Sequence, residues 1–317
     1  MKFSTSDIKN LYEKTLKFGF FIPYSNLLLT YGNKLLPDSL LKHFAKKRTS
    51  KINDYLLPII EKVNKTLSIK PIPKITSVNT IWIYWNQGAK KMPPISNLCY
   101  NYLKRNAGSH KVIFLSLDNY KDFVVLPEFI ESLYNSGKIK HAHFADILRI
   151  YLLAQQGGLW LDATILTTSP IPDYIFQQPF WTIKIKPFGN FVSQCRWSVF
   201  ALEGQKDNPL FVKLSKAFEL YLSETSIFID YFLFDHFIDL FYNSDPEIKK
   251  LIDDVPFNNP EVHALEPRLC QDFNSSWWKK IKENTSFFKL SNRSYTSAQL
   301  NSNPDSFYKY FEKEIIS

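Results

Sequence analysis

Residues 142–164 read Ala-His-Phe-Ala-Asp-Ile-Leu-Arg-Ile-Tyr-Leu-Leu-Ala-Gln-Gln-Gly-Gly-Leu-Trp-Leu-Asp-Ala-Thr, and no other stretch leaves the backbone so little choice. Asp146 and Arg149 stand three apart in an otherwise apolar run; Gly157-Gly158 interrupts it, and a short apolar strand ends on Asp162. Positions three apart share a helix face, so the acid and the base point the same way. A lone buried charge is costly, which means that the two serve each other or a polar ligand. Paired glycines stop a helix and supply a tight turn, and the strand beyond brings Asp162 back toward the same place. Asp146 with Arg149 could be no more than an internal ion pair, which is weak evidence of stability in its own right. With the glycine turn and Asp162 close behind, the run reads instead as a grip for a polyhydroxylated, phosphorylated ligand.

The chain has 317 residues, 45% hydrophobic and 16% aromatic, with 27 Phe and 17 Tyr. That is enough for a large core in one or two domains, and it excludes a mainly disordered protein. Its three cysteines, Cys99, Cys195 and Cys270, are far apart and odd in number. They fit neither a disulfide scaffold nor a cysteine zinc module, and they suit a reducing compartment. The first residues lack the apolar run of a signal peptide, and no segment reaches the roughly 18 apolar residues of a membrane span. A cytoplasmic protein is expected. The net charge of +9, from 39 Lys+Arg against 30 Asp+Glu, favours anionic partners without choosing among nucleic acid, lipid and phosphorylated substrates.

Residues 1–73 read as a helical region and 74–317 as the main domain, with Lys70-Pro-Ile-Pro-Lys as the boundary. Within the first part, Phe18-Gly-Phe-Phe-Ile-Pro-Tyr-Ser-Asn-Leu-Leu-Leu-Thr-Tyr is greasy. A basic stretch with Lys34, Lys42, Lys46, Lys47, Arg48 and Lys51 follows it. This is either a helical hairpin with a solvated basic face or an element for an anionic membrane surface; the two can coexist. Beyond the boundary, strands are expected at 80–85, 111–116, 158–162, 180–185, 197–203 and near 287–290. Helices are expected at 93–106, 126–136, 142–156, from Asn208-Pro209 onward and at 227–243. The alternation is that of an α/β sheet with crossover helices.

Ligands of open α/β sheets bind beyond the carboxyl ends of strands. Strand 80–85 runs into Asn86-Gln87-Gly88 there, and Trp82 or Trp85 could offer a face to a base; core filling is the plainer role for both. His141 and His143 flank a helix start at a spacing that suits a strand face, so a structural role outweighs a metal site. Asp230, Asp235 and His236 lie in an aromatic helix where Asp235 or His236 can face the cleft, and Lys289 stands among Phe287, Phe288 and Leu290 within reach of a phosphate. There is no Gly-x-Gly-x-x-Gly, Walker loop, Gly-x-Ser-x-Gly elbow or zinc-spaced cluster, and the basic residues do not interleave with aromatics as a nucleic-acid platform would.

Residues 145–162, Ala-Asp-x-x-Arg-x-x-x-Leu-x-x-x-Gly-Gly-x-Trp-x-Asp, resemble the sugar-binding region of DXD-type glycosyltransferases. They are most similar to the bacterial capsular polysaccharide synthesis protein family, related to glycosyltransferase family 32 and the clostridial glucosylating toxins. Ile81-Trp-Ile-Tyr-Trp-Asn-Gln-Gly88 resembles that family's first strand, and softer matches extend to Asp230 and Lys289, so residues 74–292 are covered. The resemblance implies a GT-A type, Rossmann-like nucleotide-sugar-binding sheet, here with added N-terminal and C-terminal helices. It implies transfer of a hexose from a UDP-sugar, with retention, to a capsular or surface glycan acceptor, lipid-linked at the inner face of the membrane. Trp82 would stack on uracil, and Asp146 and Arg149 would hold sugar hydroxyls and a phosphate oxygen. Gln87, Gly157, Gly158 and Lys289 would complete the substrate site; Asp162, Arg149 and Asp235 would carry catalysis. A divalent cation, Mn2+ or Mg2+, would sit on Asp162 and Thr164. The second acid of the motif is Thr164 here, a poorer ligand for a hard cation. A catalytically weak nucleotide-sugar or carbohydrate-binding protein of a biosynthetic complex is the alternative.

Overall fold

In the computed structural model, which describes residues 5–31, 36–67 and 79–316, three helices precede the first strand: α1 (Thr5–Phe18), α2 (Phe21–Tyr31) and α3 (Asp38–Thr66). The expected boundary at Lys70-Pro-Ile-Pro-Lys lies outside the described residues. Leu41, Ile52, Leu56, Ile59, Ile60 and Val63 recur at helical spacing on the buried face of α3. Ile52, Leu56, Ile59, Ile60 and Val63 belong to one core that also holds residues of β1 (Thr80–Tyr84) and β2 (Lys111–Leu115), and within it α3 packs on the helices of residues 209–244. Between those strands runs α4 (Pro94–Asn106), opened by proline at its first position, where no amide is lost.

After α5 (Glu128–Asn135), α6 (His141–Gln156) is buried on nearly all sides, Phe144, Ile147, Leu148, Ile150, Leu152 and Leu153 being fully enclosed. A helix apolar all round is a central helix, and charges on it stand in a poor solvent. Then come β3 (Gly158–Leu161), β4 (Ile165–Thr167), β5 (Phe180–Thr182) and β6 (Ala201–Gly204). The sheet order is β2-β1-β3-β6-β5; β1 pairs in parallel with β2 and β3, and β6 runs antiparallel to β3 and β5. This is the expected α/β class, with one strand reversed.

Helix α7 (Pro209–Glu224) starts on Asn208, whose side chain accepts from Leu210 N, as the Asn-Pro pair predicts. Helix α8 (Leu233–Ser244) begins six residues later than expected. The cause is Asp230, whose carboxylate turns to Arg48 (2.5 Å) and His236 (3.2 Å) and accepts from Phe232 N ahead of the helix. The strand expected at 197–203 likewise starts late, because Ala201 N closes a turn onto Ser198 O. The C-terminal part contains α9 (Pro246–Asp253), α10 (Ser275–Lys282), β7 (Phe287–Lys289), α11 (Ser297–Asn301) and α12 (Phe307–Ile316). A second core of Leu98, Tyr102, Trp278, Phe288, Phe307 and Phe311 fixes it to α4. β7 pairs antiparallel with β4, the strand absent from the sequence-based expectation.

Candidate functional site

The carboxyl ends of the parallel neighbours β1 and β3 carry Trp85 and Asp162. Asp162 N donates to Phe200 O (2.9 Å), and Ile165 N closes a tight turn on Asp162 O (2.9 Å), so the carboxylate is aimed by backbone on both sides. Into this corner α6 delivers Asp146 and Arg149. Arg149 Nη2 lies 3.1 Å from Asp146 Oδ1 and 3.1 Å from Asp162 Oδ1, and Nη1 donates to Val199 O. The three motif charges thus meet as the spacing implied.

Their division of labour differs from the expected one. The Arg149 side chain is only 4% exposed and lies over the rings of Trp160 and Phe234. Its Nη1 and Nη2 engage a carbonyl and two carboxylates while its buried Nε has no acceptor, so it organises the acids from beneath and is largely shielded from a ligand. Asp146 and Asp162 keep 22% and 29% of their side chains exposed and are the groups a ligand can touch. Trp160, two residues before Asp162 and so on the same strand face, donates from Nε1 to Asp162 Oδ1 (3.0 Å). The Trp-x-Asp spacing contained that contact unread.

Electrostatics separates the acids. Burial is the main cause that pushes the Asp146 pKa up to about 7; Arg149 opposes it, and Asp162 and Asp235 reinforce it. Burial also works to raise Asp162, but Arg149 and Lys289, with hydrogen bonds from Trp160 and Lys289, outweigh it and hold this carboxyl below its ordinary value. Asp235, on the first turn of α8, accepts from Trp197 Nε1 (2.9 Å) and is raised to about 6, mainly by burial.

Lys289 comes from 127 residues beyond Asp162, through the β4–β7 ladder that sets it opposite Ile165. Its Nζ lies 2.6 Å from Thr164 Oγ1 and 3.3 Å from Asp162 Oδ2. The expected cation pair of Asp162 and Thr164 therefore already faces an ammonium. One carboxylate and one hydroxyl, both bonded to a fixed positive charge, do not suit a hard divalent cation, which takes several oxygen ligands. Among the described residues no three His, Cys, Asp or Glu come together as a metal-holding group.

Trp82 and the paired glycines depart from the roles expected of them. Trp82 is 3% exposed, meets Phe123 edge-on, and donates from Nε1 to Gly157 O (2.8 Å), so it presents no face to a base. Trp85, the other tryptophan of that strand run, is half-buried at the strand end, and its Nε1 has no protein acceptor. Gly157 and Gly158 serve the turn and touch strands. Both have positive φ, and a Cβ would lie 2.6 Å from Lys206 N at Gly157 and 2.6 Å from Thr80 O at Gly158. Gln87 is exposed on the turn beyond β1. His141 and His143 hold no metal cluster: Nδ1 of His141 pairs with the Tyr134 hydroxyl (2.7 Å), and His143 stacks on Phe228. His236 is enclosed, bonded to Asp230 and Asn53.

Beside the corner opens a mainly apolar cavity of about 360 Å³, bounded by Leu29, Ala45, Phe191, Val199, Phe200 and Asp235. Helices α2 and α3 supply part of its wall, which no sequence pattern indicated. The cavity and the corner share Asp235, together with the Val199–Phe200 segment against which Arg149 and Lys289 lie.

Comparison with known proteins adds family and relatives. The family model described as capsular polysaccharide synthesis protein matches residues 33–311. An O-glycosyltransferase, braB, of Annulohypoxylon truncatum is 28% identical over 98 residues, 28% of this chain and 23% of that protein. An O-glycosyltransferase, PaGT, of Phomopsis amygdali is 28% identical over 122 residues, 36% of this chain and 30% of that protein. The match thus spans less than a third of either curated relative. A solved structure, the PaToxG glycosyltransferase, aligns over 86% of this chain and 97% of its own, with TM-score 0.35 and 15% identity.

Proposed function

This chain belongs to the capsular polysaccharide synthesis protein family, and from that premise we propose that it is a glycosyltransferase moving a hexose from a UDP-sugar to an acceptor hydroxyl. The observation that carries the reading is the corner itself. Two carboxylates with separated proton affinities, an ammonium and the half-buried Trp85 stand at the carboxyl ends of adjacent parallel strands. Trp85 stacks on the base, Lys289 faces the diphosphate, and Asp146 and Asp162 accept from sugar hydroxyls. Arg149 keeps both acids in place.

In the reaction the bond from the anomeric carbon to the phosphate oxygen breaks, and a bond from that carbon to the acceptor oxygen forms. The acceptor proton leaves with UDP as the phosphate gains charge, which the Lys289 ammonium offsets. Retention of configuration is what the family resemblance implies. The acceptor enters from the apolar cavity, where Asp235 stands at the join and, with its pKa near 6, is mostly ionised at neutral pH and able to accept from the incoming hydroxyl.

An acceptor with an apolar body fits that cavity, and a lipid-linked glycan is the form we favour. Ile8, Tyr12 and Leu16 on α1 and Phe20 beside it stand out at four-residue spacing, each more than half exposed, on a chain of net charge +9. Such a stripe suits peripheral contact with an anionic membrane. Among the described residues no helix is long and apolar enough to cross one.

The test is release of UDP from individual UDP-sugars by purified protein with acceptor extract. Turnover with one sugar, abolished in Asp162→Asn, supports the proposal. UDP-sugar binding without turnover, whatever the acceptor, would favour a binding protein and defeat it.

A further inference from the structure

Resting on the nucleotide-sugar reading above, we propose that Lys289 replaces the divalent cation of DXD-type sites. Its ammonium supplies the countercharge to the donor diphosphate, and donor binding by this chain needs no metal.

The positions of a DXD pair are here Asp162 and Thr164, and Lys289 Nζ bonds to both, at 3.3 and 2.6 Å. The other oxygen of Asp162 takes Arg149 Nη2 at 3.1 Å and Trp160 Nε1 at 3.0 Å. Each side-chain oxygen of that pair therefore already meets a donor. A divalent ion placed there would meet two fixed positive charges at close range, and like charges repel.

The ammonium is held by more than its own side chain. Lys289 N donates to Val262 O (2.7 Å), Leu290 N donates to Thr164 O (2.9 Å), and β7 pairs Lys289 with Ile165. The Lys289 ammonium lies over the Phe200 ring, its Nζ 5.3 Å from the centroid. A lysine ammonium has three N–H donors; Asp162 and Thr164 take two, and the third is left for a phosphate oxygen. The side chain is 26% exposed, enough for a ligand to reach it from the strand ends. A lysine is a point charge that serves phosphates without bidentate geometry, so one residue can take over the ion's electrostatic role.

Calorimetric titration with UDP, in EDTA and again with MnCl2, compares the wild-type chain with Lys289→Met and Lys289→Arg. The proposal predicts equal wild-type affinity in the two buffers. It predicts a loss of about tenfold or more in Lys289→Met, as for one charge-assisted hydrogen bond, and near wild-type binding in Lys289→Arg. Mn2+ titrated into wild type with UDP should lose no more of the free aquo ion's EPR signal than Mn2+ with the same UDP and no protein. Binding of UDP to wild type only with MnCl2, or a loss of free-ion signal beyond that of the protein-free control, overturns the proposal while leaving the donor reading intact. Unchanged affinity in Lys289→Met overturns it too. Absence of UDP binding in both buffers removes the donor reading and this proposal together. Circular dichroism reports whether the variants fold, and the wild-type pair of titrations decides the matter even if Lys289→Met does not.

Discussion

Asp146 should weaken the folded chain at neutral pH, and its replacement by Asn should strengthen it. The carboxyl is raised from the ordinary 3.8 to about 7 by burial on α6, against the partial relief of Arg149. Between those values the folded chain holds a proton that the unfolded chain has lost. Stability therefore falls as pH rises, by about 1.36 kcal/mol for each pH unit. Across the whole window the loss approaches about 4 kcal/mol. Because 22% of the side chain still meets solvent, an effective value of about 2–3 kcal/mol is the better expectation.

Asp146→Asn keeps the shape and can still accept from Arg149 through its amide oxygen, but carries no charge to desolvate. Urea unfolding of both proteins from about pH 5 to about pH 8.5 is the assay. The variants should converge only below the unfolded carboxyl's 3.8, so that at pH 5 about a third of the full difference is already present. The advantage of Asn should grow as pH rises and level off above about pH 7. Turnover should fall in the same variant, since a sugar hydroxyl loses its charged acceptor; stability and activity often trade off in this way at functional sites. A deficit in Asp146→Asn that is constant with pH, or that deepens on the alkaline side, would refute the reasoning.

Trp82→Phe should lower stability by about 1–2 kcal/mol through loss of the bond to Gly157 and leave UDP affinity unchanged; Trp85→Ala should lose about 1–3 kcal/mol of UDP binding. Calorimetry with UDP and a melting curve for each separate the two tryptophans. Gly158→Ala combines φ of +98° with a Cβ 2.6 Å from Thr80 O, so a destabilisation of about 2–4 kcal/mol is expected in urea unfolding. Leu16→Asp with Phe20→Asp changes side chains 70% and 64% exposed; it should leave the melting curve in place and abolish co-sedimentation with anionic vesicles, and unchanged co-sedimentation would remove the membrane contact.

The central corner was legible because its parts are close in sequence. Helical spacing joins Asp146 to Arg149, the glycine pair fixes the turn, and the strand ends on Asp162, so local geometry alone brings them within 3.1 Å of Arg149. The flanking strands were legible for a similar reason, since β-branched and aromatic runs such as Thr80–Tyr84 have few alternatives to a buried sheet. What escaped depends on distant partners. The side of the sheet that Trp82 meets follows from Gly157 and Phe123, and composition does not distinguish it from Trp85. Lys289 was visible as an isolated charge among apolar residues, but its role follows from β4, a three-residue strand too short to carry a period-2 signal. The cavity wall from α2 and α3 arises from tertiary packing anchored by the Arg48–Asp230 ion pair, 182 residues apart in the chain.

A crystal structure of the chain with UDP, grown without divalent cations, tests the account most directly. The uracil should lie on Trp85, and the diphosphate should stand within hydrogen-bond distance of Lys289 Nζ, facing Asp162 and Asp146. UDP seated away from these strand ends, or bound only when a metal bridges its phosphates to Asp162, would contradict it.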